Sequence, residues 1–237
     1  MIRSLWIVIL GGLITAYYVV KISLLSAFAS EKTFCAVCDS ASRNWARKLL
    51  KLSSVSVVVE GVVNLERSNS CVVVANHESW FDVFALAGWL PVSAKFVGKR
   101  ELANIPLFGS SWQACGHVAI DRRNRDSAIR SLNSVVEKMR HQSMHVVMFA
   151  EGTRSATGKL QPFKKGPFIL AIEAGTPIIP VAIIGSRKIM PKGSYSIGKG
   201  EIKIRIGKPI DVLGKSYEDR DYLRTVAQRK VAELKEE

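Results

Sequence analysis

Hydrophobic and polar positions divide this chain into two regimes. Residues 4–20 carry no charge, and after Lys21 a second uncharged run continues to Ser30. A membrane-crossing helix needs about 20 apolar residues, so residues 4–30 are long enough to span a bilayer once with tilt. They suit equally two shorter helices, broken near Lys21, that dip into one leaflet. From about Val55 the pattern changes. Brief apolar runs at 57–59, 71–74, 146–149 and 178–184 predict strands buried on both faces. Between them Ala128, Ile129, Leu132, Val135, Val136 and Met139 recur at helical steps, giving one apolar face. Pro167 and Gly175 bracket a second helix over 167–174. This alternation predicts an α/β fold, a mostly parallel sheet flanked by helices, behind an N-terminal membrane-embedded helical segment. Residues 201–206 alternate charge with isoleucine and predict a half-exposed strand near the sheet edge.

Three parts are expected: a membrane segment with an amphipathic helix over 1–52, an α/β domain over 53–214 and a helical tail over 215–237. The amphipathic helix covers 40–52, where Trp45, Leu49, Leu50 and Leu52 stand among basic residues, and is expected on the membrane face. Beyond the apolar segment lie Lys32, Arg43, Arg47, Lys48 and Lys51, against Arg3 alone before it. That bias places the main body on the cytoplasmic face of the inner or plasma membrane. A cleaved signal peptide is the competing reading, since Ala27-Phe28-Ala29 imitates a cleavage site. The apolar stretch is longer than a signal's usual core, however, and Lys21 interrupts it.

Composition narrows the function classes. The 237 residues include 34 Lys and Arg against 20 Asp and Glu, a formal charge of +14, with 48% hydrophobic residues. Such hydrophobicity excludes a mostly disordered chain. Basicity joined to hydropathy suits anionic membranes and phosphorylated ligands. Nucleic acid fits the charge, but no helix-turn-helix or zinc-finger pattern accompanies it. Four cysteines are too few for a disulfide-built scaffold, and Cys35-x-x-Cys38 without a second pair reads as two small residues following an apolar segment.

Several motifs fail on their mechanics. Residues 193–199 nearly spell a phosphate-binding loop, but Gly200 stands where Ser or Thr should be and a strand follows. His77-Glu78 lacks the second histidine of a zinc protease, since position 81 is Phe, and no Gly-x-Ser-x-Gly elbow occurs. One constellation survives. The strand at 71–74 runs into Ala75-Asn76-His77-Glu78-Ser79-Trp80-Phe81-Asp82. Five residues of ideal helix would leave His77 and Asp82 about 140° apart. His77 must therefore sit in the turn before the helix, where Asp82 can accept from Nδ1–H and leave Nε2 free as a base. A second strand end leads into Glu151-Gly152-Thr153-Arg154-Ser155. Arg154, Arg122 and Lys164 each follow an apolar run and are candidate phosphate ligands.

With these blocks in hand, the chain resembles the glycerolipid acyltransferases typified by 1-acylglycerol-3-phosphate acyltransferase. Asn76-His77-x4-Asp82 is similar to the first of four family blocks and residues 116–122 to the second. Residues 151–155 are similar to the third and Ile179-Pro180-Val181 to the fourth. Ala150 departs from the family's usual proline, which bears on loop stiffness more than on chemistry. The resemblance covers residues from about 52 to 213. It implies that His77, oriented by Asp82, removes a proton from the free hydroxyl of lysophosphatidic acid as that oxygen attacks an acyl thioester carried on coenzyme A or acyl carrier protein, giving phosphatidic acid. It implies that Glu151, Gly152, Thr153 and Arg154 hold the acceptor, with Arg122 and Lys164 adding positive charge, and that neither cofactor nor metal is needed. Anionic membrane lipids are expected partners and nucleic acid is not. Another lysolipid acceptor, such as a lyso-ornithine lipid, remains open, and a non-catalytic membrane-surface binding protein is the alternative from another class.

Overall fold

The computed structural model describes residues 2–66, 68–121 and 123–236. Two long helices come first, α1 (Ile2–Ser26) and α2 (Glu31–Leu52). Then follow β1 (Val55–Glu60), α3 (Val63–Glu66), β2 (Cys71–Ala75), α4 (Phe81–Trp89), β3 (Ala94–Lys99), α5 (Arg100–Ala103) and α6 (Phe108–Ala114). The second half contains β4 (Val118–Ile120), α7 (Arg125–His141), β5 (His145–Phe149), α8 (Gly166–Ala174), β6 (Ile178–Ile184), α9 (Ser186–Ile189) and β7 (Gly200–Ile206). A short 3-10 turn (Tyr217–Asp219) leads into α10 (Arg220–Glu236).

The strands form one sheet in the order β1-β7-β6-β2-β5-β3-β4, with every neighbouring pair parallel except β6–β7. The mostly parallel α/β expectation is met, with one adjustment. β7 is covered by β1, so the strand predicted near the edge lies one place inside it. β3 and β4, which the apolar pattern did not predict, complete the opposite edge.

Side-chain alternation assigns the two faces. Cys71, Val73 and Ala75 of β2 pack in one core with Leu50 of α2 and Phe81, Ala85 and Leu86 of α4. Val72 and Val74 pack in another with Val135 of α7, Phe168 of α8 and Leu223, Ala227 and Val231 of α10. Burial of each large side chain contributes about 1.5–3 kcal/mol. Because β2 is followed by α4 on one face and its neighbour β5 by α8 on the other, their carboxyl ends form the crevice where open α/β sheets bind ligands.

The N-terminal helices are docked onto this domain. α1 is unbroken through Lys21, so the two-helix version of the apolar segment is not what forms. Among the described residues it is one helix long and apolar enough to cross a membrane. Its start is held by Arg3, which donates to the carbonyls of Ser53 and Ile197, and by Ser4 Oγ, which accepts from Ile197 N–H at 3.0 Å. Farther along, Trp45 Nε1 donates to Thr15 Oγ1 (3.0 Å), and the Ser23 and Ser111 hydroxyls lie 2.9 Å apart. Leu5, Trp6, Val8, Leu13 and Tyr17 face outward, exposed.

Helix α2 starts at Ser30, whose side chain accepts from Thr33 N–H, and buries Cys38, Ala41, Ala46, Leu49 and Leu50. Its contact with α4 is close because Gly88 has no side chain; a Cβ there would meet Arg47 Cγ at 3.3 Å. Arg43 and Arg47, counted in the sequence as membrane-flanking charge, donate to the carbonyls of Leu90 (2.9 Å) and Gly88 (2.8 Å) and so close the C-terminal end of α4. Cys38 is joined in a disulfide to Cys115 of the α6 C-cap, while Cys35 is free and exposed.

Candidate active site

The residues after β2 form a tight turn, and α4 begins only at Phe81, so His77 lies before the helix as its spacing with Asp82 requires. Ser79 shapes this entry: its hydroxyl accepts from Phe81 N–H (3.2 Å) and donates to the Met190 carbonyl (2.8 Å). Asp82 is fully buried in the first turn of α4, where the helix dipole favours a negative group. Its Oδ2 gathers three donors: His77 Nδ1 at 2.7 Å, Glu78 N–H at 2.7 Å and Ser79 N–H at 2.8 Å. Oδ1 has no hydrogen-bond partner among the described residues.

This arrangement assigns the imidazole. With Nδ1–H donating to Asp82, Nε2 carries a lone pair, which is the tautomer a general base needs. The His77 ring stacks on Phe149 of β5, with centroids 3.9 Å apart and planes 16° from parallel. Asn76, also fully buried, extends the β2–β6 pairing with its side chain: Nδ2 donates to the Ile183 carbonyl (2.9 Å) and Oδ1 accepts from Ile183 N–H (2.7 Å).

The loop after β5 is stitched to this turn. Ser155 N–H donates to the His77 carbonyl at 2.7 Å, and Ala150 N–H to that of Ala75 at 3.1 Å. Glu151 is turned inward: Oε1 accepts from His77 N–H (2.7 Å) and Oε2 from Gln161 N–H (2.9 Å). Burial raises its pKa above the usual carboxylate range, and Glu78 adds to the rise, while the two backbone amides and Lys235 oppose it. The resemblance implies that Glu151 helps hold the acceptor; here its carboxylate accepts from the His77 and Gln161 amides and lies outside the cavity lining. Gly152 adopts φ +74°, a conformation that favours glycine, and a Cβ there would stand 3.3 Å from Lys164 Cγ. Lys164 itself is exposed beside this loop and outside the cavity lining. Arg122 lies outside the described residues.

Beside His77 opens a cavity of about 510 Å³. Its polar lining includes His77, Thr153, Arg154 and Lys192, with Lys99 and Glu101 from the β3–α5 junction. The Arg154 guanidinium lies over the Trp80 ring at 4.9 Å, and Lys192 Nζ reaches Thr153 Oγ1 at 3.4 Å. Three cations, Lys99, Arg154 and Lys192, thus share a space with the imidazole. The remaining wall is largely apolar, with Val83 and Phe84 from α4, Phe96 and Val97 from β3, and Trp112 from α6. Helices α1 and α2 close it with Tyr18, Val19, Ile22 and Trp45.

Three features of this wall escaped the sequence reading. Lys192 and Trp80 carry no motif of their own. His117, from the second block, lies in the wall with Nδ1 accepting from Phe96 N–H at 3.0 Å, and its ring stacks on Trp112. Enclosure, with a further contribution from Lys95 and against Asp39, pushes its pKa down to about 3, so it is a neutral ring at physiological pH. By contrast burial pushes the Cys71 thiol up to about 12, which leaves it inert beneath the site.

A histidine base held by a buried carboxylate at the end of a parallel strand, opening on a space with cations and an apolar interior, has the form of an enzyme site. Comparison with known proteins agrees. The acyltransferase family model matches residues 56–184, and the chain belongs to that family. It is 32% identical over 195 residues to a 1-acyl-sn-glycerol-3-phosphate acyltransferase of Salmonella typhimurium, covering 80% of this chain and 78% of that one. A chloroplastic 1-acyl-sn-glycerol-3-phosphate acyltransferase of Brassica napus is 34% identical over 198 residues, 80% of this chain but 57% of its own length. The chain therefore spans little more than half the length of that plant relative. Among solved structures, the 1-acyl-sn-glycerophosphate (LPA) acyltransferase PlsC from Thermotoga maritima superposes with a TM-score of 0.82 at 28% identity, covering 98% of this chain and 95% of that one.

The Asn76 bridge carries a direct consequence. Asn76→Ala would strand the buried N–H and carbonyl of Ile183, and is expected to lower unfolding free energy by about 2–4 kcal/mol, read from denaturant midpoints in detergent micelles.

Proposed function

We propose that the protein transfers an acyl chain from a thioester to the free hydroxyl of lysophosphatidic acid, giving phosphatidic acid. The observation that carries this reading is the cavity itself, where the base, three cations and a long apolar wall share one space. The relatives' names support the acceptor.

In this reaction His77 Nε2 takes the hydroxyl proton as the oxygen attacks the thioester carbonyl carbon. The new C–O bond forms as the C–S bond breaks, and the thiolate leaves with the proton from the imidazolium. Asp82 fixes the ring's tautomer and orientation throughout. Arg154 and Lys192 bind the phosphate, with Thr153 lining that end of the cavity and Gly152 allowing the loop its turn; the charges of Lys164 and Arg122 add to the basic character that attracts an anionic acceptor. The apolar wall takes the acyl chain. Coenzyme A and acyl carrier protein are both anionic carriers that a basic surface attracts, and no further cofactor enters these steps.

The outward apolar side of α1 suits insertion into lipid, with the main body at the cytoplasmic face. A second reading, with the body on an oxidising side, is favoured by the Cys38–Cys115 disulfide, and side-specific labelling decides between the two.

Three outcomes are expected. His77→Ala should abolish acyl transfer, measured with both thioester carriers, while vesicle binding persists; an unchanged rate would refute the mechanism. Arg154→Ala should raise KM for lysophosphatidic acid about tenfold or more, and much less for an acceptor without phosphate. In sealed vesicles, a cysteine engineered on the exposed face of α10 should be labelled from the cytoplasmic side only, and labelling from the other side would overturn the proposed orientation.

A further inference from the structure

The C-terminal helix reaches the histidine turn through a single lysine. On α10 the side chains of Leu223, Ala227 and Val231 are buried against the sheet at four-residue steps, and the next position in that stripe is Lys235. Periodicity puts this lysine on the buried face, unlike its neighbours Arg229 and Lys230, whose side chains are 67% and 48% exposed. Lys235 is 20% exposed, and its ammonium donates to Glu78 Oε1 at 2.5 Å and to the Gly158 carbonyl at 3.1 Å.

Both partners belong to the machinery around His77. Glu78 is buried to 7% exposure, and its own backbone N–H is one of the three donors on Asp82. Asn76 Nδ2 approaches the same Oε1 at 3.4 Å. Gly158 closes the loop that begins at Glu151 and contains Arg154, and Ser155 Oγ accepts from its N–H at 3.1 Å. Glu78 and Glu151 are both buried, and Glu78 disfavours the charge on Glu151. A buried carboxylate without a cation moves to solvent or takes a proton. Arg187 of α9 also packs at Gly158, but its guanidinium donates to the Ala156 carbonyl.

We propose that Lys235 is a positioning residue for the His77–Asp82 pair: by holding Glu78 it fixes the turn whose amides grip Asp82, and through Gly158 it locks that turn to the Arg154 loop. The inference rests on His77 as the base in the proposed reaction. Lys235 touches neither substrate nor the reacting atoms; its hold on the base appears in kcat, and its hold on the Arg154 loop in a smaller rise of KM.

The test uses the full chain in detergent micelles with lysophosphatidic acid and each thioester carrier. Lys235→Met should lower kcat about 10-fold or more with each KM within about threefold of wild type, and Lys235→Arg should recover most of the loss. Combining Lys235→Met with Glu78→Gln should be no worse than the poorer single variant, because both break one contact. Independently of activity, hydrogen exchange of the Glu78 and Ser79 amides should quicken in Lys235→Met and stay unchanged in Lys230→Met. Wild-type kcat in Lys235→Met, a loss confined to KM, additive losses in the double variant, or unchanged amide exchange would each overturn the proposal. If the wild-type chain transfers no acyl group, the functional reading fails, and exchange at Glu78 and Ser79 alone decides whether Lys235 holds the turn.

Discussion

A buried carboxylate with nowhere to go organises this molecule. Asp82 is sealed from water, so its Oδ2 must collect donors from the protein, and it draws them from the His77 ring and from two successive backbone amides. That demand bends residues 77–79 into a turn ahead of α4. The bend is what sends the imidazole back over the end of β2, against Phe149 and beside the cavity. Fold and chemistry are hard to separate here: the group that orients the base also holds the turn from which α4 departs.

The same logic explains the Glu-Gly-Thr-Arg-Ser loop. Its first residue satisfies the His77 amide, its last donates to the His77 carbonyl, and between them Thr153 and Arg154 face the cavity. Such a division keeps the cationic Arg154 at a fixed place relative to the base, because both are held by one peptide. Preorganisation of this kind removes the need for the groups to assemble as substrate arrives.

Legibility from sequence followed burial. β2, β5 and β6 were visible because strands covered on both faces read as unbroken apolar runs. β3 was hidden by Lys95, Gly98 and Lys99 within six residues, and β4 by being three residues long. The alternating strand β7 was visible, but its place was not, since alternation reports one exposed face and says nothing of which strand lies alongside. The His77–Asp82 pair was readable because it is local. The inward turn of Glu151 was not, because it answers the amides of His77 and Gln161, which no motif records. Arg43 and Arg47 looked like surface charge and proved to close a helix end, since a cation's partner can be a carbonyl 41 or 47 residues away.

The docking of α1 has a consequence for handling the protein. Thr15, Tyr18, Val19 and Ile22 face the cavity on one side of the helix, while Leu5, Trp6 and Leu13 project from it outward. An outward apolar surface and one wall of the cavity therefore belong to a single helix. Trimming it to gain solubility would remove part of the chamber along with that surface. A water-soluble version would have to be sought by recolouring the outer side of α1 with polar residues while leaving the inner side, and the Arg3 clasp at its start, untouched.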